Sequence, residues 1–338
     1  MGKNHITIHD LAKALNLNAS TVSRALNDHP KISTETKKIV RQLADELNYR
    51  PNALASSLRK GSANTVGLVV PRVNRNFFAS AIEGIEAVLN KAGYHLIIVQ
   101  SNESLVKEKE CINSLLNARV DGIIISISSE TSDLSHLFTV QEKNVPLIFF
   151  DRIPLNIEAG KVKLNDYMGA YKATEYLLNN GYKRIAHLEG PRHLQMYAER
   201  KRGYMAALNN YGIPCDDRMI IENCLTQEKG VEAAAKLMSM ESAPDAIFSA
   251  SDYSALGALT FLKENGFNIP GNVAVFGFSN EPFTKLMDPP LSSIEQFPYK
   301  MGEAAAQLFL DEIGDKNYIP RTIEIMPEVM VRKSVIRV

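Results

Sequence analysis

From residue 66 onward the chain alternates short, unbroken apolar runs with longer amphipathic stretches, and no other feature restricts its fold as much. Residues 66–70, 96–99, 122–125 and 146–150 are runs of Val, Ile, Leu and Phe with at most a Gly or Pro among them. A strand apolar on both sides must be covered on both faces, as parallel strands between helices are. Helix-like stretches at 79–92, 105–118 and 134–143 lie between these runs. A second set follows, with strands at 184–188, 246–249 and 273–276 and helices near 170–180, 198–211, 230–240 and 254–265. Repeated βα units of this kind predict two doubly wound α/β lobes. Such lobes open a ligand cleft at the carboxyl ends of their strands. Every apolar run is strand-sized, far below the roughly 20 residues that span a bilayer, so no membrane association is expected.

The first sixty residues follow a different rule. Thr7 and Asp10 stand in the [ST]-x-x-[DE] relation of a capping box, and Leu11, Ala12 and Leu15 then repeat at helical spacing. Asn18 can cap a second helix over 19–26, with Val22 and Ala25 or Leu26 inward. Pro30 ends that unit, and Ser33 can cap a third helix carrying Ile39, Leu43 and Leu47 on one stripe. Three short helices with a tight break after the first describe a helix-turn-helix. The second helix of such a module reads base edges with its N-terminal residues. Here those are Ala19 and Ser20, with Arg24 one turn on, whose paired donors match guanine O6 and N7. Thr7, Thr21, Ser23 and Asn27 suit phosphate oxygens. A plain three-helix bundle with a surface arginine fits the spacing as well. Charge favours DNA: residues 1–60 hold ten Lys/Arg against five Asp/Glu, although the whole chain balances at 38 of each.

Residues 53–58 are helix-competent but only about two turns long, too short to stay folded in water without a partner. Leu58 beside Arg59 and Lys60 has the form of an apolar wedge for the minor groove, or of a linker leucine tucked onto the next domain. The segments 6–13 (ITIHDLAK), 20–27 (STVSRALN) and 47–58 (LNYRPNALASSL) resemble, in order and spacing, the lactose-repressor (LacI/GalR) family of bacterial regulators. That resemblance implies that Leu58 is a lever inserted at the operator centre. It also implies that two hinges pair over a near-palindromic double-stranded site, with Asn52 and Ala55 as further hinge contacts. Arg24 matches the family's recognition arginine, and Ala19 and Ser20 its variable base-reading positions.

The resemblance covers nearly the whole chain. It implies an all-α helix-turn-helix head joined by a hinge helix to an α/β two-lobed, periplasmic-binding-protein-like (type I) effector domain. In that fold the chain crosses between lobes three times and returns to the first lobe after about Glu295. The corresponding boundaries are 1–49 for the head, 50–63 for hinge and linker, and 64–338 for the effector-binding and dimerisation domain.

Polar and aromatic residues just past strand ends are the cleft candidates: Phe77 and Phe78, Asp151 and Arg152, Asp252, and Arg200 at the opening of the helix after Pro191. Carboxylate and guanidinium groups with an aromatic face suit a sugar-type ligand. The resemblance implies effector contacts at Phe78, Asp151, Arg200, Phe248, Asp252 and Gln296. Phe77 and Phe248 also fit a core, and Asp151 and Asp252 also fit helix caps. Many sugar-binding relatives carry an aspartate two residues after Gly277, where this chain has Ser279 followed by Asn280. The effector expected is a sugar or sugar derivative, with a sugar phosphate met by Arg152 or Arg200, or a non-sugar metabolite, fitting the residues equally.

Enzyme motifs are missing: no phosphate loop, dinucleotide fingerprint, G-x-S-x-G elbow or H-E-x-x-H occurs. His187 lies in a strand and fits a core position. Cys111, Cys215 and Cys224 are too scattered for a disulfide or metal framework. The chain is therefore expected to be a non-enzymatic, cytoplasmic homodimer that uses no cofactor and no metal. An exported solute-binding protein shares the two-lobed body but would carry an apolar export signal, which Met1 to Lys13 does not show.

Overall fold

The computed structural model describes residues 6–49 and 63–336. They fall into two compact units, 1–63 and 64–338.

The first unit is α1 (Ile8–Ala14), α2 (Ala19–Leu26) and α3 (Thr34–Glu46). Thr7 and Asp10 form a full capping box: the Asp10 amide donates to Thr7 Oγ1 at 3.3 Å and the Thr7 amide to Asp10 Oδ2 at 2.8 Å. Ser33 caps α3 through the Thr36 amide. Asn18, expected to cap α2, has the extended backbone of a cap, but its side chain makes no bond to the helix amides. All three helices stop in one way. Asn16, Asp28 and Asn48 take left-handed φ of 51°, 56° and 49°. The following amides then reach back, Leu17 to Ala12 at 2.9 Å, His29 to Arg24 at 3.0 Å and Tyr49 to Ala44 at 2.8 Å. Asn and Asp are among the few side chains that tolerate this backbone.

The core of this unit is Leu11, Ala12, Val22, Ala25, Val40 and Ala44. The stripe expected on α3 needs correction, because Ile39 is 48% exposed and Leu47 37%. Four residues of a 3.6-residue helix overshoot one turn, so an i, i+4, i+8 row slants across the cylinder. Only its middle member, Leu43, packs against the core.

In the second unit, β1 (Thr65–Val70), β2 (His95–Gln100), β3 (Gly122–Ile125), β4 (Leu147–Phe150), β5 (Gly160–Leu164) and β11 (Thr322–Ile325) form one parallel sheet ordered β11-β5-β4-β3-β1-β2. Helices α4 (Asn76–Lys91), α5 (Leu105–Asn117), α6 (Ser135–Glu142) and α11 (Pro298–Gly314) belong to this lobe. The other lobe has the parallel sheet β7-β6-β8-β9, built from β6 (Ile185–Leu188), β7 (Ile220–Ile221), β8 (Ala246–Ser249) and β9 (Ala274–Phe276). Its helices are α7 (Asp166–Asn179), α8 (Gln195–Asn210), α9 (Gln227–Met238) and α10 (Asp252–Glu264). The chain passes to this lobe after β5 and returns with α11 and β11. It crosses again through β12 (Glu328–Met330), which pairs antiparallel with β10 (Ser293–Glu295), and Ser334 then accepts from the Val275 amide. These are the three crossings the resemblance implies.

Two details differ from the sequence expectation. β2, expected to be covered on both faces, is an edge strand with Ile97 and Ile98 39% and 43% exposed. Helices α4, α7 and α8 begin three or four residues before the stretches expected from the sequence, with Phe77 and Phe78, Tyr167 and Met168, and Met196 and Tyr197 in their first turns. Phe77 and Phe78 therefore lie in the first turn of α4, and Arg200 in the second turn of α8 rather than at its opening. At the crossing of α4 and α11, a Cβ on Gly84 would stand 2.1 Å from the Tyr299 carbonyl oxygen, and one on Gly302 2.0 Å from that of Ala81. Only glycine allows backbones this close.

Candidate functional site

In the first unit, α2 presents Ser20, Arg24 and Asn27 to solvent, with Thr21 and Ser23 half-buried. Among the described residues no protein group pairs with the Arg24 guanidinium. Ala19, expected to face bases, packs partly against the three-helix core. The Thr7 hydroxyl is engaged by Asp10, and the Asn27 side chain folds back onto the Ser23 carbonyl at 2.8 Å. Asn52, Ala55, Leu58 and the expected hinge helix lie outside the described residues.

In the second unit, a chamber of about 250 Å³ opens between the lobes. Phe77, Phe78, Asp151 and Arg152 line it from the first lobe, and Arg200, Ser279 and Gln296 complete it. A second chamber of about 390 Å³, toward the crossing strands, shares Asp151, Arg152 and Met196 with the first. Phe248 and Asp252 line neither. Phe248 is fully buried with its ring stacked at 4.9 Å on His187, whose Nδ1 donates to the Phe248 carbonyl. Burial pushes the His187 imidazole down to about 3, so it is a neutral core group. Asp252 sits behind the wall. Its carboxylate accepts from Ser293 Oγ at 2.7 Å and from the Glu281 amide at 2.8 Å, and burial raises it to about 7. Gly277 makes room for it, since a Cβ there would lie 2.0 Å from Asp252 Oδ1.

Arg200 is the most constrained charge in the cleft. At 2% exposure it donates through Nε to Asp166 Oδ1 at 2.8 Å and through Nη1 to the Ala250 carbonyl at 2.8 Å. Nη2 reaches Gln296 Oε1 at 3.4 Å, and the guanidinium lies 3.6 Å over the Phe278 ring. Arg152 is held by Glu103 through two bonds of 2.5 and 3.1 Å. Burial works against the Glu103 charge, yet Arg152 and the Ser129 amide outweigh it and hold the carboxyl below its usual range. Asp151, in a left-handed backbone at φ 60°, accepts a long bond from Ser126 Oγ at 3.3 Å and lies 4.0 Å from Arg152 Nε. Burial raises its carboxyl to about 6 against the opposing pull of Arg152.

The sequence reading missed Tyr197, Arg75, Tyr253 and Glu281, which also line the first chamber. Arg75 and Tyr253 each adjoin the start of a helix that follows a strand, so the strand-end rule extended by a few residues finds them. Tyr197 lies in the first turn of α8, beyond its reach. Among the described residues no cluster of three or more His, Cys, Asp or Glu could hold a metal ion, and no helix is long and apolar enough to cross a membrane.

Comparison with known proteins fits both units. Residues 7–52 match the family model described as bacterial regulatory proteins, lacI family. Residues 63–333 match that of periplasmic binding proteins and the sugar binding domain of the LacI family. The chain is 33% identical to the HTH-type transcriptional repressor PurR of Vibrio atlanticus (strain LGP32), over 97% of this chain and 98% of that protein. The structure of the transcriptional regulator CelR in complex with cellobiose superposes with a TM-score of 0.75 at 28% identity, covering 97% of this chain and 99% of that one. The lac repressor dimer bound to operator and the anti-inducer ONPF shares the fold, at a TM-score of 0.86 and 21% identity over 98% and 99% of the two chains. The chain belongs to the LacI family of bacterial regulatory proteins, which are DNA-binding regulators of transcription and not enzymes.

Proposed function

We propose that this chain is a repressor whose operator affinity is set by a neutral, hydroxyl-rich effector, a sugar, held between its two lobes. The observation that carries the reading is the chamber itself. Aromatic walls from Phe77, Phe78 and Tyr197 stand beside donors and acceptors contributed by both lobes, the combination that binds a ring with polar rims. A sugar phosphate is the weaker fit. The two guanidiniums expected to meet it, Arg152 and Arg200, are already taken by Glu103 and Asp166. The cellobiose bound by CelR supports the sugar class, and the shared wall between the two chambers leaves room for more than one ring.

Asp151 gives the reading a pH signature. Its carboxyl accepts most strongly from a ligand hydroxyl when ionised, and its folded value of about 6 lies above its ordinary 3.8. Affinity for a neutral sugar is therefore flat above about pH 7 and weakens as pH falls through 6, by at most tenfold per unit. The same shift lowers the stability of the fold as pH rises from about 4 to 6, since there the folded state binds more protons than the unfolded one. Calorimetric titration between pH 5 and 8 checks the first point. A flat profile removes Asp151 from the contact.

On the DNA side, Thr7, Ser20, Thr21, Ser23 and Asn27 position the head on phosphates and base edges, and Arg24 reads one base pair of each half-site. Arg24→Ala then costs about 1–3 kcal/mol at the preferred base and flattens preference at that position. Unchanged ranking of operator variants at constant salt contradicts the assignment. We assign the active form as a homodimer on a near-palindromic operator. The exposed apolar edge strand β2 supports it, since such an edge is ordinarily covered. Ile97→Lys should shift sedimentation toward the monomer, and an unaltered dimer moves the interface elsewhere.

A further inference from the structure

The first chamber contains one pair of opposite charges, from opposite lobes, that does not close on itself. Arg75 ends the loop before α4 in the first lobe, and Glu281 follows β9 in the second. Both line the chamber. Among the described residues neither side chain makes a hydrogen bond or an ion pair, although the Arg75 charge opposes the rise that burial gives the Glu281 carboxyl. Both are nonetheless held in place. The Arg75 guanidinium lies 4.0 Å over the ring of Tyr253, which belongs to the opposite lobe. Tyr253 in turn rests edge-on against Phe283 at 5.2 Å. Glu281 is only 5% exposed, and its backbone is clamped from behind by Asp252 through the 2.8 Å amide bond. Asp252 is itself fixed by Ser293.

A donor-only cation and an acceptor-only anion, oriented and separated, leave a gap with a definite chemistry. A hydroxyl fills it completely: its oxygen accepts from Arg75 and its hydrogen goes to Glu281. A phosphate or carboxylate satisfies Arg75 but stands against the Glu281 and Asp151 carboxyls. We infer that Arg75 and Glu281 are the specificity-determining pair of the cleft, reading a hydroxyl of the effector from both lobes at once and discriminating against anionic analogues. This rests on the reading of the cleft as an effector site. Because one partner comes from each lobe, the same contact favours the closed cleft, whereas Arg152 and Arg200 are each neutralised within their own lobe.

The test uses the full chain and measures Kd by calorimetry for D-ribose, D-glucose, cellobiose and D-glucose 6-phosphate. The neutral sugar that binds best should lose at least tenfold in affinity in Glu281→Gln and in Arg75→Ala, with the double variant little worse than either single one. The decisive readout is the ratio of the Kd values for glucose and glucose 6-phosphate. Merely loosening the cleft weakens both ligands alike, whereas removing the Glu281 charge should reduce discrimination against the phosphate at least tenfold. Circular dichroism establishes that each variant is folded, and Arg75→Lys, which keeps the charge, should retain part of the affinity. Neutral-sugar binding with an unchanged ratio in Glu281→Gln overturns the pair and leaves the sugar reading standing. Binding of no neutral sugar by the wild-type chain overturns both.

Discussion

Arg200→Ala is expected to destabilise the second unit by about 3–5 kcal/mol, because it strands a buried carboxylate. Asp166 is 7% exposed, its carboxyl is already raised by burial, and Arg200 is its ion-pair partner. The Ala250 carbonyl and Gln296 lose their donor in the same step. The melting temperature should fall by roughly 10 °C, and sugar binding should disappear with it. The two effects can be separated. Arg200→Met with Asp166→Leu replaces the pair by apolar groups of similar size, and such exchanges are often neutral in stability. That double variant should recover most of the melting temperature and none of the ligand binding. Recovery of both would make Arg200 a packing residue only, while recovery of neither would mean the ion pair organises more of the lobe than its contacts suggest.

The second large effect lies at Glu108, which touches neither chamber. Its carboxylate is fully buried in the first lobe and accepts from the Ser128 amide at 2.5 Å, Thr131 Oγ1 at 2.9 Å and His136 Nε2 at 2.8 Å. Those bonds hold the segment 126–131, which also sends Ser126 to Asp151 and the Ser129 amide to Glu103. The Ser129 carbonyl accepts from His193 of the other lobe at 2.5 Å. Glu108→Ala leaves three buried donors unsatisfied, each costing about 1–3 kcal/mol, so a total loss above about 3 kcal/mol is expected by urea denaturation. Burial opposes the charge of Glu108, but its donors win and lower its pKa. Its contribution is therefore complete above the ordinary value of 4.5 and is lost as pH falls below it. The variant should consequently show a smaller loss of stability than wild type between pH 5 and 3. An equal acid loss in both proteins would remove Glu108 as the anchor of the segment.

Much of this architecture was legible because it rests on local rules. Continuous apolar runs located the covered strands, and Thr7, Asp10 and Ser33 announced helix starts through hydrogen bonds that need no tertiary context. What escaped the sequence depends on partners distant along the chain. β5, Gly-Lys-Val-Lys-Leu, alternates inward and half-exposed residues and so lacks a continuous run. The buried side of α11 includes Gly302, Ala305 and Ala306, small residues that serve close approach and give a weak hydrophobic signal. In the cleft, proximity to a strand end brought Phe77, Asp151 and Arg152 to light, but it cannot tell a residue facing the ligand from one behind it. Asp252 shows the difference: its carboxylate is spent on the Glu281 amide and Ser293, and Glu281 presents a carboxyl in its stead.

Ligand in the cleft and operator on the head should be coupled, and linkage makes that coupling quantitative. If a sugar changes operator Kd by some factor, operator must change the sugar's Kd by the same factor. The direct measurement is a pair of titrations on the full chain at one salt concentration, operator with and without saturating sugar, and sugar with and without saturating operator. Couplings of this kind are typically about 5- to 150-fold. Equal factors of that size are expected in both titrations, whereas a sugar that binds the chain and leaves operator affinity untouched would show that cleft and head are not coupled.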